Sequence, residues 1–188
     1  MYQSIKPVLK SEFLIIRFNK FTKIKEILSP DGTCPLPWAL TPINTKAVEG
    51  DGQQAGNVTP TDDKYNYYIS HLFYSYNRDG WNTITSEYIN YMQPLVAKLR
   101  AKAMMRLKVS VYFCKDKHIE HGYHQDFQWD STTSIFYVNT NNGYTKFEDG
   151  TIVESVANRV VTFPTPIRHT SVSQTDTGYR ITINCNYM

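Results

Sequence analysis

The sequence predicts a mainly β domain with flanking helices, its strands closed into a barrel or sandwich. Three observations predict it. From residue 107 onward, short runs of alternating polarity are separated by turn residues such as Asn142-Gly143 and Asp149-Gly150, which is the pattern of an all-β core. The chain holds 14 Tyr and 3 Trp in 188 residues, and aromatic side chains favour strands. Helical periodicity is confined to two stretches of the first half. A chain of 188 residues can bury a sizeable core as one domain. We expect a single domain over residues 1–188, with 1–106 as helical and strand support and 107–188 as the β-barrel core.

The elements follow in order. Residues 13–16 are a short apolar run, either an edge strand or the entry to a helix. Phe21, Ile24, Ile27 and Leu28 recur at helical spacing, which predicts a helix over residues 19–28, ended by the turn chemistry of Pro30-Asp31-Gly32. Residues 36–47 are interrupted by Pro37 and Pro42 and predict an irregular edge strand. Residues 49–64 are rich in Gly, Gln, Asn, Thr and Asp without periodicity, and predict a mobile loop, as readily a tolerated insertion as a lid. Residues 65–76 form an aromatic strand, with His71 expected as a hydrogen-bonded structural residue. The main helical region is expected over residues 83–103, capped by Thr85 or Ser86 and packed on the outside of the sheet. Pro94 sits inside it and predicts a kink or the start of a second helix.

The second half predicts strands at 107–114, 123–127, 132–139, 144–147, 151–156, 160–163, 169–173 and 179–187, with Asn142-Gly143 as a hairpin signal. Two of these strands reveal their faces. Ser110 and Tyr112 alternate with Val109, Val111 and Phe113. Arg180, Thr182 and Asn184 alternate with Ile181, Ile183 and Cys185. A polar row facing the barrel interior is sensible only where it lines a site. The apolar row is then expected to pack under the helices.

The chemistry-bearing stretch is His124-Gln125-Asp126, followed at a distance by His169 and then by Arg180. Two imidazoles and one carboxylate are the ligand set of the facial triad that holds non-haem Fe(II) with open coordination positions. Side chains two apart on a strand share a face, so His124 and Asp126 can grip one ion together, with His169 supplied by another strand. The open positions are free for an organic cosubstrate and O2. Arg180 on a following strand suits the gripping of a carboxylate through two parallel hydrogen bonds. His118 and His121, with Gln125 and Trp129, are expected to shape the pocket mouth. Arg168 should point away from His169, as a surface charge or a substrate contact.

Composition narrows the function classes. A formal charge of +3 is too small to imply a nucleic-acid partner. The cluster Lys98, Arg100, Lys102, Arg106 and Lys108 is expected to be the solvated face and end of a helix, where cations suit the dipole. Three cysteines, Cys34, Cys114 and Cys185, without Cys-x-x-Cys spacing predict free thiols in a reducing compartment. No apolar run approaches a membrane span and no leader pattern is visible. A soluble, cytoplasmic protein is expected, in which the Asn57-Val58-Thr59 sequon goes unused.

Several motifs also carry a family likeness: Val-Tyr-Phe at 111–113, Tyr-His-Gln-Asp-Phe at 123–127, Ser-Ile-Phe-Tyr-Val-Asn at 134–139, Gly143-Tyr144-Thr145, Arg-Val-Val-Thr-Phe-Pro at 159–164, and Arg168-His169 with Arg180. Over roughly residues 108–187 the chain resembles the 2-oxoglutarate- and Fe(II)-dependent oxygenases, most closely the prolyl 4-hydroxylase-like branch. One departure is Asn142, which stands where the family often has the first glycine of Gly-Gly-x-Thr. The resemblance implies a double-stranded β-helix, the jelly-roll or cupin-like barrel, with Fe(II), 2-oxoglutarate as cosubstrate and O2. It implies Arg180 as anchor of the distal 2-oxoglutarate carboxylate, Tyr137 and Tyr112 as its hydroxyl partners, and Asn139 and Thr145 as supports of the cosubstrate end. The expected activity is hydroxylation of a C–H bond, of a prolyl residue or another protein or peptide substrate. Two other readings are oxidation of nucleic-acid bases, as in AlkB-like relatives, and a non-catalytic jelly-roll binding or virion module. The modest charge disfavours the first, and the coincidence of His124, Asp126, His169 and Arg180 speaks against the second.

Overall fold

The computed structural model describes residues 10–13, 16, 18–29, 36–42, 67–76, 84–128 and 130–188. The expected loop at 49–64, the turn at 30–32, Cys34, the sequon and Trp129 lie outside the described residues. The first half contributes β1 (Lys10–Phe13), α1 (Phe18–Leu28), β2 (Ala39–Pro42), β3 (Tyr67–Ser75), β4 (Ile84–Thr85), a 3-10 turn (Glu87–Met92) and α2 (Gln93–Leu99). The second half contributes β5 (Met104–Phe113), β6 (Thr132–Tyr137), β7 (Tyr144–Phe147), β8 (Ile152–Glu154), β9 (Arg159–Pro164), β10 (His169–Val172) and β11 (Tyr179–Tyr187).

These strands make two antiparallel sheets. The large one runs β1-β9-β6-β11-β5-β3-β2, with β4 on β3, and the small one runs β10-β7-β8. Alternation decides what each face meets. Val109, Val111, Ile181, Ile183 and Cys185 point outward into a core with Ile24, Ile27 and Leu28 of α1 and with Met92 and Leu95. The helices therefore cover the outer face of the large sheet, as the apolar row predicts. On the inner face, Ile135, Tyr137, Val161 and Phe163 of the large sheet pack with Phe147 and Val153 of the small one. On β5 and β11 the same face is polar, with Ser110, Thr182 and Asn184 beside Arg180.

Several expected elements change form. The helical region is shorter than residues 83–103. Ser86 does cap it, accepting a hydrogen bond from the Tyr88 amide at 3.2 Å, but the first segment is 3-10. Pro94 lies in the first turn of α2, where a missing N–H costs nothing. Arg100 then ends α2 in the left-handed region, with φ 54°. The basic cluster divides in consequence, because Arg106 and Lys108 belong to β5 and not to a helix end. His71 is structural as expected, contacting the Pro37 carbonyl at 3.1 Å and the Ser86 hydroxyl at 2.8 Å.

The strand expected at 123–127 is reduced to one bridge, His124 to His169. The chain leaves the small sheet at that point because Asp126 is drawn to partners on the large sheet. Asn142-Gly143 is not a hairpin turn either. It sits in the crossing from β6 in the large sheet to β7 in the small one, while the β7–β8 hairpin turns at Asp149-Gly150, with Gly150 at φ 88°. Cys114 and Cys185 are free thiols, the first exposed and the second buried. Among the described residues no helix is long and apolar enough to cross a membrane.

Candidate metal centre

His169 opens β10, and its backbone exchanges two hydrogen bonds of 2.9 Å with the backbone of His124. The two imidazoles thus project side by side, with centroids 4.6 Å apart. Nδ1 of His169 lies 3.1 Å from the Ile167 carbonyl, and Nδ1 of His124 lies 3.4 Å from that of Gly122. A proton held on Nδ1 leaves the Nε2 lone pair of each ring for a metal, the usual tautomer arrangement behind a ligating histidine. The His169 ring is also packed edge-on against Phe163 at 4.8 Å.

Asp126, two residues after His124, turns its carboxylate to the same point, where donors of the large sheet hold it. Its Oδ1 lies 4.0 Å from Nε2 of His124. One ligand atom from each of His124, Asp126 and His169 falls within 4.8 Å of the others, near enough to share one ion. The carboxylate is buried and held by four donors. Arg106 Nη2 donates to Oδ1 at 2.7 Å, and Asn184, Asn186 and Thr133 donate to Oδ2 at 2.9, 2.9 and 3.3 Å. Burial alone would raise the Asp126 pKa. The charges of Arg106, His169 and His124 and the Asn184 hydrogen bond outweigh it, and the carboxyl titrates well below the ordinary range. Burial and then the neighbouring His169 push His124 down to about 4. Burial likewise lowers His169. At neutral pH the set is two neutral imidazoles and a carboxylate, which is the protonation state that binds a divalent metal.

Arg180 lies deeper in the same cavity and is 1% exposed. It projects from β11 across to the small sheet, where its guanidinium donates to the hydroxyls of Ser155, Ser171 and, at 3.5 Å, Thr145. Its guanidinium carbon stands 5.6 Å from the Tyr112 ring and 5.7 Å from the Tyr137 ring. Among the described residues no carboxylate pairs with it. A buried cation met by hydroxyls and ring faces but by no carboxylate is short of an anion. The cavity is lined by His124, Asp126, His169, Arg180, Tyr112 and Thr145, together with Lys108 and Asn184 among others. Oδ1 of Asn184 is buried and has no hydrogen-bond partner, so the wall also offers an unused acceptor. The donor set fits a divalent ion, and the lone guanidinium fits the free acid of a cosubstrate.

No protein-family model matches the chain, and no curated protein matches it. Solved structures do. A 2OG-Fe(II) oxygenase family oxidoreductase from Burkholderia pseudomallei is similar with a TM-score of 0.60 at 10% identity, over 98% of this chain and 85% of that one. The fold is that of the 2-oxoglutarate–Fe(II) oxygenases. A Pseudomonas putida prolyl-4-hydroxylase is similar at 0.55 and 13% identity, over 97% and 93%. A Trichoplax adhaerens prolyl hydroxylase in complex with a hypoxia inducible factor peptide fragment is similar at 0.54 and 12%, over 96% and 83%. The large and small sheets are the two halves of this double-stranded β-helix.

Within this oxygenase fold the sequence-selected residues divide. His124, Asp126, His169, Arg180, Tyr112 and Thr145 meet at one cavity. Tyr137 stands behind it, donating from its hydroxyl to Thr145 at 2.7 Å. Asn139 is outside the lining; its side chain bonds the backbone at Tyr179 and Ile181 and so pins β11. His118 contacts the Ser173 carbonyl at 2.6 Å, and buried His121 stacks at 6.4 Å from Tyr112. Arg168 is bonded to Glu148 and the Tyr123 carbonyl. Sequence reasoning missed Arg106, Lys108, Asn186, Ser155 and Ser171. Arg106 and Lys108 extend the Ser110–Tyr112 face by the same period of two, so the signal was present. It was obscured by reading them as the end of a helix.

Proposed function

We propose that this chain is an Fe(II)- and 2-oxoglutarate-dependent dioxygenase that hydroxylates a C–H bond. The observation that carries the reading is the convergence of His124, Asp126 and His169 in the cavity that also holds the buried, anion-short Arg180. Fe(II) with bound 2-oxoglutarate and O2 supplies an oxidant for an unactivated C–H bond, with 2-oxoglutarate converted to succinate and CO2.

The chain's own residues do the rest. His124 and His169 each present a neutral Nε2, and Asp126 offsets part of the metal charge. Arg180 receives the distal carboxylate of 2-oxoglutarate in a charge-assisted pair. Thr145 is shared between Arg180 and Tyr137, and it orients that end beside Tyr112, with Tyr137 holding Thr145 from behind the cavity and not reaching the cosubstrate as a hydroxyl partner. The cavity wall excludes water and fixes the cosubstrate relative to the metal. Fold alone does not select a substrate. The prolyl-hydroxylase neighbours, one of them bound to a peptide, favour a protein or peptide substrate.

The test is conversion of 2-oxoglutarate to succinate with Fe(II), run beside His169→Ala. Turnover that requires iron and is lost in the variant is expected. Absence of iron-dependent turnover with any peptide or protein mixture would favour a non-catalytic module. A product about 16 Da heavier identifies the substrate.

A further inference from the structure

Arg106 is 7% exposed, and its guanidinium is committed to the Asp126 carboxylate. The two oxygens of that carboxylate are not equivalent. Oδ2 takes three donors, from Asn184, Asn186 and Thr133, which uses up its lone pairs. Oδ1 takes one, from Arg106 at 2.7 Å, and it is the oxygen 4.0 Å from Nε2 of His124. One lone pair therefore remains on Oδ1. The supports are fixed by strand register: Arg106 on β5 lies directly opposite Asn186 on β11, which lies opposite Thr133 on β6. Arg106 also donates from Nε to Oδ1 of Asn186 at 3.0 Å. That bond turns the Asn186 amide so that its N–H groups face Asp126 and Thr133. The Phe127 ring closes the guanidinium from one side at 5.0 Å.

We propose that Arg106, by the fixed charge it places on the one Asp126 oxygen left free for a metal, is a positioning residue that loosens the centre's grip on a divalent cation, while the three donors on Oδ2 keep the other oxygen from ligating. The inference rests on reading His124, Asp126 and His169 as a metal site. Two cations sharing one carboxylate oxygen oppose each other. Even with full aqueous screening, a guanidinium a few ångströms from a divalent ion weakens its binding by about tenfold. Arg106 thus stabilises the metal-free fold, as counter-ion to a buried carboxylate, at the expense of metal affinity. A residue with a purely structural role would weaken metal binding when removed, whereas Arg106 acts in the opposite direction.

The experiment is calorimetric titration of the full chain with Mn(II), for the wild type, Arg106→Met and Arg106→Lys, with melting temperatures measured with and without the metal. Arg106→Met is expected to lower the Mn(II) Kd about tenfold, to melt earlier without metal, and to gain more in Tm from Mn(II) than the wild type does. Arg106→Lys keeps the charge and is expected within about threefold of the wild-type Kd. If the metal-free methionine variant does not fold, it is prepared with Mn(II) and the rate of metal loss to a chelator is read instead, with slower loss than wild type expected. A methionine variant that binds Mn(II) no more tightly than wild type, or that loses it faster, overturns the inference while leaving the metal site intact. A lysine variant that tightens as much as the methionine variant overturns it too. A wild-type chain that binds no Mn(II) fails the metal reading itself, and the inference falls with it.

Discussion

Gly143 gives Arg180 its room. A Cβ at position 143 would stand 2.9 Å from Cδ of Arg180, 2.9 Å from Oδ1 of Asn141 and 3.0 Å from the Val172 carbonyl oxygen. Two of these neighbours are held: Asn141 Oδ1 accepts the Gly143 amide at 3.0 Å, and Val172 is backbone in β10. An added methyl must therefore displace the Arg180 side chain and also shift the turn that Asn141 holds. Gly143→Ala is expected to raise the 2-oxoglutarate KM by about tenfold, a shift of the size of one hydrogen bond to a charged group, with Mn(II) affinity unchanged. Parallel titrations of metal and cosubstrate check it.

Arg180→Ala removes the proposed anchor altogether. We expect the 2-oxoglutarate requirement to rise by about 10- to 100-fold, far more than any loss of metal affinity. Equal losses of both would contradict the assigned role. Arg180→Lys should recover only part of the affinity, because a single ammonium cannot reproduce the guanidinium fork.

Asp126→Ala is expected to abolish metal binding and also to destabilise the metal-free protein. Arg106 and Asp126 are both buried and their ion pair is 2.7 Å long. Removing one member of such a pair typically costs about 3–5 kcal/mol, because the partner charge stays buried. Denaturant melts of the apo-protein should show this loss for Asp126→Ala and a clearly smaller one for His169→Ala.

The metal-free protein is expected to lose stability as pH falls from about 6.5 to about 4. Burial holds His121 and His124 down to about 4 from an ordinary value of 6.5, and His169 is shifted in the same direction. Between these pH values the unfolded chain binds protons that the folded chain does not, so stability rises with pH across the window and is fully present above it. His121→Asn should remove about one proton from the slope. Urea melts between pH 4 and 7.5 in the presence of a chelator measure it.

Local periodicity carried most of the fold. The strands of the second half, the outward apolar rows of β5 and β11 and the helix at Phe18–Leu28 all follow from residues a few positions apart. His124, Asp126, His169 and Arg180, which meet at one cavity, were legible as a set because their side-chain types are those a facial triad with a carboxylate anchor would demand. The strand at 123–127 was not, because the pull on Asp126 comes from Arg106, Asn184 and Asn186, all far from it in sequence. The 3-10 segment before α2 was not legible either: residues 87–92 share the helical spacing but wind as a 3-10 turn that buries Met92 in the core.

By itself the sequence determined the alternation that makes two sheets and the identity of the groups able to bind metal and acid, since both depend on side-chain type and short-range spacing. Only the tertiary structure decided that the candidate metal-binding group straddles the sheets, with the imidazoles carried by the small sheet and the carboxylate anchored to the large one. That division arises from strand register, which sets Arg106 opposite Asn186 and Asn186 opposite Thr133. Register is fixed by burial of whole strand faces, which no single segment of the chain encodes.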